Sequence, residues 1–390
     1  MNKKYLSFLA LLLSASITLS THSTLALDSV TQPTSDTPST TEPATPPVDN
    51  STLSLSLEDA WKLMETGNSM LKLTDSKLLI LDKQNQQALA RHDANTPVVD
   101  EDSKKERDLN HKRTQWTLNN AKHDRDTQLK ALKTQITNEY ESILTLQQQA
   151  ENLNTQLGNL DTVIKQVNLQ IELGLKISSD LYSYTAQKSK LEAAQKAVLN
   201  SIKSSMISLK QNLGIDINRN VVLTSNLIGY TKFDDADINN KIAKALQNNY
   251  DITKYKQDIE ITKIEYDIDF YYADLMADQV QLSLEDKKAT LATLSVTQEV
   301  GLRTAYNTLK TLENAIEADK LTVEADQINI NVMLKNIEVG KSSTLEMIPL
   351  QNTLLNDQFT LQQDINTYMT AATNFQNTLD NEFVEDATAK

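Results

Sequence analysis

From Val98 to Ile348 the chain contains no proline, and across those 251 residues it contains only six glycines: Gly158, Gly174, Gly214, Gly229, Gly301 and Gly340. Proline removes a backbone donor and clashes with the preceding turn. Glycine carries the largest backbone entropy cost, so the two residues punctuate turns and loops. A stretch this long and nearly free of both is predicted to consist of a few very long helices. Five of the chain's seven prolines instead lie between Pro33 and Pro47. Aromatic residues make up only 5% of the chain, few for a compact enzyme core and normal for coiled coils rich in Ala, Leu, Lys, Gln and Asn.

Charge removes further classes. The chain has 38 Lys+Arg against 52 Asp+Glu, a net charge of −14. Phosphate binding needs a basic stripe, so this balance argues against nucleic acid and against anionic lipid surfaces. The absence of cysteine excludes a disulfide framework, a thiolate metal site, a Cys nucleophile and a Cys-linked lipid anchor.

Residues 1–26 read as a secretory signal peptide: Lys3 and Lys4, an apolar run from Leu6 to Leu19, then Thr24-Leu25-Ala26. An uncleaved anchor is the competing reading, but the run is short for a span of ~20 residues. Residues 27–52 are rich in Thr, Ser and Pro and carry no Lys or Arg, which predicts a disordered, partly polyproline linker. A helical pattern opens at Leu55 and runs to about Arg91. Residues 92–113 hold 11 charged side chains out of 22 and one proline, which predicts a solvated loop with a capping box at Ser103-x-x-Glu106.

A long helix to Leu173 follows, and with it an internal repeat. Ile136, Ile143, Ala150, Leu157, Ile164 and Ile171 fall at strict sevens, and Leu302, Leu309, Ile316, Val323, Ile330 and Ile337 do so 166 positions later. At the same offset Gly174 meets Gly340, Asp180 meets Glu346, Leu209 meets Phe375 and Leu213 meets Leu379. Heptads hold one stripe against a partner helix. Each repeat therefore predicts a helix of roughly 60 residues, about 90 Å long, a sharp turn at Gly and a returning helix. The resulting organisation is helical repeat 1 over 53–214, a connector with one short strand at Val221–Thr224 over 215–236, helical repeat 2 over 237–380, and an acidic tail over 381–390. The fold class is all-α: two tandem repeats of long antiparallel coiled-coil helices with minimal β-structure.

This order of elements resembles the outer-membrane efflux protein family, the TolC-like channels. Repeats of that family commonly open with a helix reading A-L-x-x-N-P-x-L, a slot held here by Ala245-Leu246-Gln-Asn-Asn-Tyr-Asp-Ile252 with Tyr in place of Pro. They turn at a V-G-x-x-x-x-D-[VL] tip. The two copies here read Leu173-Gly174-Leu-Lys-Ile-Ser-Ser-Asp180-Leu181 and Val339-Gly340-Lys-Ser-Ser-Thr-Leu-Glu346-Met347, and the returning helix closes on Leu213-Gly214. The resemblance implies a homotrimer whose helices form a helical barrel, a hollow tube. It also implies tips that meet a periplasmic-adaptor-like protein, and an inner-membrane transporter that supplies energy. The candidate partner-binding residues are then Leu173, Gly174, Leu175 and Asp180 on one tip, and Val339, Gly340, Lys341 and Glu346 on the other.

The family inserts two membrane strands into each repeat. A barrel strand needs about 9–11 residues of alternating polarity, which the charged segment 92–113 cannot supply. Ile264, Ile268, Tyr271, Leu275, Gln279 and Leu282 recur at helical spacing in the second copy, with Ser283-x-x-Asp286 as a second cap. The expectation is a tube domain without its barrel.

No residue pattern points to an enzyme, a cofactor or a metal. His92, His111 and His123 lack ligand spacing, and no phosphate loop or nucleophile elbow occurs. Asp267, Asp269, Asp274 and Asp278 read as a polar helix face in preference to a cation site. Trp61 and Trp116 are expected between helices. Asp319 and Asp326 occupy positions where the first copy has Leu153 and Leu160. They are candidate lumen acids of a water-filled tube. The preferred reading is that the stripe drifts to Leu321 and Ile328 and leaves both outside. The functional expectation is a TolC-like efflux or type I secretion component in the cell envelope, whether outer membrane, periplasm or the surface of a single-membrane cell. The rival is a secreted, wall-associated coiled-coil spacer without transport.

Overall fold

A computed structural model of the chain describes residues 52–272 and 275–382. The predicted signal peptide, nearly all of the Thr/Pro linker and most of the acidic tail lie outside the described residues. The chain starts with a short strand β1 (Leu53–Leu55), followed by α1 (Leu57–Gly67), α2 (Ser69–Asp93), α3 (Glu101–Asp108) and the first long helix, α4 (Asn110–Glu172). The returning helix α5 (Ser179–Leu213) leads to strand β2 (Val221–Leu223). The second half repeats the plan with α6 (Ile238–Gln247), α7 (Tyr250–Tyr271), the long helix α8 (Ala277–Glu338) and its return α9 (Thr344–Leu379). Antiparallel hairpins α4/α5 and α8/α9 dominate the packing; α2 lies on α4, α7 on α8, and α4 against α9 joins the two halves.

Each half has its own core. In the first, Leu55, Met64, Leu71, Ile136, Ile143, Leu209 and Leu213 are buried together. In the second, Ile242, Leu302, Leu309, Ile316, Phe375 and Leu379 do the same. One fully buried tyrosine ties each core to the connector. The Tyr140 hydroxyl donates to the Leu55 carbonyl at 2.7 Å and accepts from the Thr224 and Ser225 N–H groups at 3.0 and 2.9 Å. The Tyr368 hydroxyl accepts from Phe233 N–H at 2.8 Å and donates to Glu313 at 3.1 Å. Asn68 and Asn249 cap α2 and α7, accepting backbone N–H groups of the first turn.

Several local expectations are corrected. The helical pattern opening at Leu55 breaks at Asn68 into α1 and α2, and Leu55 itself ends β1 instead of starting a helix. This strand pairs in parallel with β2, Leu53 opposite Val221 and Leu55 opposite Leu223. The charged segment is mostly helix, not loop. Its cap is the reciprocal box of Asp100 and Ser103, and ion pairs one helical turn apart, Lys105–Glu101 and Lys104–Asp108 at 2.5 Å each, hold α3. Ser283 and Asp286 lie inside α8 and cap nothing, because that helix already begins at Ala277.

Among the described residues β1 and β2 form the whole sheet. The link from α7 to α8 spans five residues and that from α2 to α3 seven. Neither can hold two membrane strands of about 9–11 residues each. No described helix is long and apolar enough to cross a membrane.

Candidate docking tips and the acidic seam

Both long helices end in the same way. At the first tip Gly174 adopts φ +72°. Its N–H donates to the Ile171 carbonyl at 2.9 Å, and Leu175 N–H donates to Gln170 at 2.8 Å. At the second, Gly340 adopts φ +74°, with Gly340 N–H to Ile337 at 3.0 Å and Lys341 N–H to Asn336 at 2.8 Å. These two crossed bonds with a left-handed glycine define a Schellman ending, which satisfies orphan carbonyls and reverses the chain. Nothing lies within 4 Å of a Cβ placed on either glycine, so the turns are dictated by backbone conformation and not by packing.

The tips present apolar side chains to solvent: Leu173, Leu175, Ile177 and Val339 are all exposed. Asp180 and Glu346 sit in the first turns of α5 and α9, where a carboxylate faces the positive end of the helix dipole. Asp180 accepts from Ile177 N–H at 3.4 Å and Glu346 from the Ser343 hydroxyl at 3.2 Å. Lys341 is exposed. The two tips are joined, since Leu345 and Ile348 at the start of α9 pack on the cluster of Leu160, Val163 and Val167 in α4.

The expected outward position of Asp319 and Asp326 is corrected. Leu321 and Ile328 are 66% and 54% exposed, whereas both acids are half-buried against α9. There Asp319 meets Asp364 and Asp326 meets Asp357, side chain to side chain. Helix geometry explains this. In α4 the buried residues Leu153, Leu160 and Val167 form a second heptad stripe, and Asp319 and Asp326 stand at its counterpart in α8. A residue at that register faces the partner helix whatever its polarity. Burial, then the bond to Asp319, pushes Asp364 up to about 6; burial and Asp326 raise Asp357.

Among the described residues the acidic run near the end of α7 does not converge. Asp269 is 1% exposed and pairs with Lys105 at 2.7 Å, Asp267 is exposed, and Asp274 lies outside the described residues. Among the described residues no three or more His, Asp or Glu side chains are placed to hold a metal ion. Sequence spacing did not reveal the stacking of His92 on His111, 3.9 Å between ring centroids, because the fold, and not helical periodicity, brings them together. Trp61 donates to the Thr137 hydroxyl at 3.1 Å and Trp116 to the Lys254 carbonyl at 3.3 Å, both between helices as expected.

No family model matches the chain, and no curated protein sequence does. Solved structures do. The outer membrane protein VceC of Vibrio cholerae superposes with TM-score 0.66 at 13% identity, over 84% of this chain and 97% of that one. The fold is that of the TolC-like outer-membrane efflux channels. The Campylobacter jejuni CmeC outer membrane channel matches with TM-score 0.64 at 10% identity, covering 85% of this chain and 87% of its own. The outer-membrane channel OprN matches with TM-score 0.63 at 10% identity, covering 83% and 90%. The chain has the helical part of that fold, and among the described residues it is built without barrel strands.

Proposed function

We propose that the chain is a non-enzymatic component of an envelope export system, a passive helical conduit or adaptor-docking tube of the efflux or type I secretion kind. It works as a homotrimer, with a periplasmic-adaptor-like protein at its tips and an inner-membrane transporter supplying energy. The observation that carries this reading is the pair of matching Schellman tips with Leu173, Leu175, Ile177 and Val339 exposed, on a TolC-like fold. Apolar side chains exposed at a turn that needs no packing to hold its shape suit a partner that inserts between them. In the proposed assembly the wall helices contribute no chemical step. Spreading of the hairpins opens the lumen.

Without barrel strands, the chain is proposed to act on the exported side of the envelope and to be held there by its Thr/Pro linker, by its signal segment or by the adaptor. The short links where barrel strands would insert also favour the second reading, a secreted coiled-coil spacer. Light scattering of the exported chain in detergent-free buffer separates the two. A soluble trimer supports the conduit. A monomer at every concentration up to that of the exported chain in its envelope overturns it, and insolubility without detergent contradicts the barrel-free assignment.

A further inference from the structure

Two layers of the α8/α9 hairpin are built from acids where the α4/α5 hairpin is built from apolar side chains. Asp319 faces Asp364 and Asp326 faces Asp357. Moved back by the 166-residue repeat, the same positions hold Leu153 with Val198 and Leu160 with Leu191. Leu160 and Leu191 belong to one apolar cluster of the first hairpin. In the second, the Oδ2 atoms of Asp319 and Asp326 are shielded from water with no donor against them.

The surroundings offer no compensating cation. Helix α9 contains no Lys or Arg between Thr344 and Leu379; its only charged residues are Glu346, Asp357 and Asp364. On the neighbouring turns of α8 the charged groups are Glu317, Lys320 and Glu324, and Lys320 is engaged with Glu317 at 3.1 Å and with the Tyr230 ring. The third helix on the seam, α4, presents neutral amides. Asn152 donates to the Leu355 carbonyl at 3.3 Å, Gln156 to Asn356 at 3.1 Å and Asn159 to Asn352 at 3.4 Å. The charges that bear on Asp357 and Asp364 are those of Asp319 and Asp326. Two carboxyl groups in contact, half-buried and without a cation, stay together only by sharing a proton.

We propose that the second hairpin is a proton-operated joint: each aspartate pair binds one proton that clasps α8 to α9, and its loss drives the two helices apart between Ile316 and Ile330. The first hairpin, with Leu and Val in these layers, lacks the device. For the Asp319–Asp364 pair the ordinary carboxyl value of 3.8 and the value of about 6 for Asp364 bracket the transition; Asp357 is raised in the same direction by burial and Asp326. The joint is a property of the hairpin alone, and it stands for a conduit or a spacer equally.

Hydrogen exchange on the full exported chain tests it, corrected for the intrinsic pH dependence of exchange. Between about pH 4 and pH 7, protection of residues 316–330 and 357–364 is expected to fall by up to about 100-fold, because proton affinity that differs between closed and open hairpin appears directly in the opening equilibrium. Protection of residues 150–164 and 191–198 is expected to stay level. Replacing the four acids with the first repeat's residues (D319L, D326L, D357L and D364V) should abolish the difference. So should the gentler pair D357N and D364N, which keeps side-chain shape. Equal response of both hairpins, or a pH-dependent loss of protection that survives in the D357N/D364N chain, overturns the proposal.

Discussion

Gly67 and Gly214 touch backbone to backbone where the end of α1 meets the end of α5. A Cβ on Gly67 would stand 2.2 Å from the Leu213 carbonyl oxygen, and one on Gly214 would stand 2.5 Å from the Gly67 oxygen. The same junction is locked by Asn68, whose side-chain amide donates to the Asn212 carbonyl at 2.9 Å. This contact fixes how the short helices of the first repeat sit on its long hairpin.

Gly67→Ala should therefore destabilise the chain by roughly 1–3 kcal/mol, since the neighbours are backbone and cannot step aside. Gly158→Ala is the internal contrast. Gly158 lies within α4 with open space around it, and alanine there should stabilise by about 0.5–1 kcal/mol. Urea unfolding midpoints of the two variants should move in opposite directions; movement in the same direction would refute the assignment of Gly67 to a steric contact.

Tyr140→Phe removes a hydroxyl that three backbone groups share. Thr224 N–H and the Leu55 carbonyl keep their mutual bond at 3.0 Å, and Ser225 N–H loses its acceptor. A donor left unpaired away from water costs about 1–3 kcal/mol. The expected result is a loss of that order, with faster amide exchange concentrated in residues 53–55 and 221–225. Uniform loosening of the whole first repeat would mean that the ring's packing matters and the hydroxyl does not.

At the tips, Gly174 and Gly340 are left-handed in open space. Alanine at either position should cost about 1–2 kcal/mol from conformation alone, whereas asparagine, which tolerates that backbone region, should cost less. Thermal unfolding of Gly340→Ala beside Gly340→Asn would check the ranking. If both cost the same, the closure is not set by φ.

The acid seam also predicts a pH dependence of global stability. A carboxyl whose folded value lies above its unfolded one binds protons more tightly when folded, so stability falls as pH rises from about 4 to about 6. Asp364→Asn should flatten that fall and raise stability at neutral pH by about 1 kcal/mol after allowance for solvent screening. Denaturation curves at a series of pH values would show it. An unchanged slope would point to other carboxylates.

The long helices, their Gly turns and the repeat were legible because they are periodic, and a period of seven survives poor conservation of any single residue. The tip acids were legible for the same reason, one offset serving both copies. What escaped was non-local. Leu53-Ser54-Leu55 is too short to carry an alternation, and its partner strand stands opposite at Val221. The break between the end of α7 at Tyr271 and the start of α8 at Ala277 falls where helical apolar spacing continues on both sides, so the spacing does not mark it. Asp319 and Asp326 were visible as acids in an apolar register. Their meaning came only with Asp364 and Asp357, which no spacing within one helix connects to them.

The parallel pairing of β1 with β2 has a consequence for how the molecule is made. Leu53 leaves the ribosome early, and Val221, its partner, follows only after the whole first hairpin. Local helix formation is fast, while contacts across so long a span carry a high loop-closure cost and come late. A nascent chain therefore displays its first hairpin helices well before the edge at Leu55 and the hydroxyl of Tyr140 find their partners. The earliest segment that can complete a core from the amino-terminal side reaches Ser225, past the glycine at which the helices themselves stop.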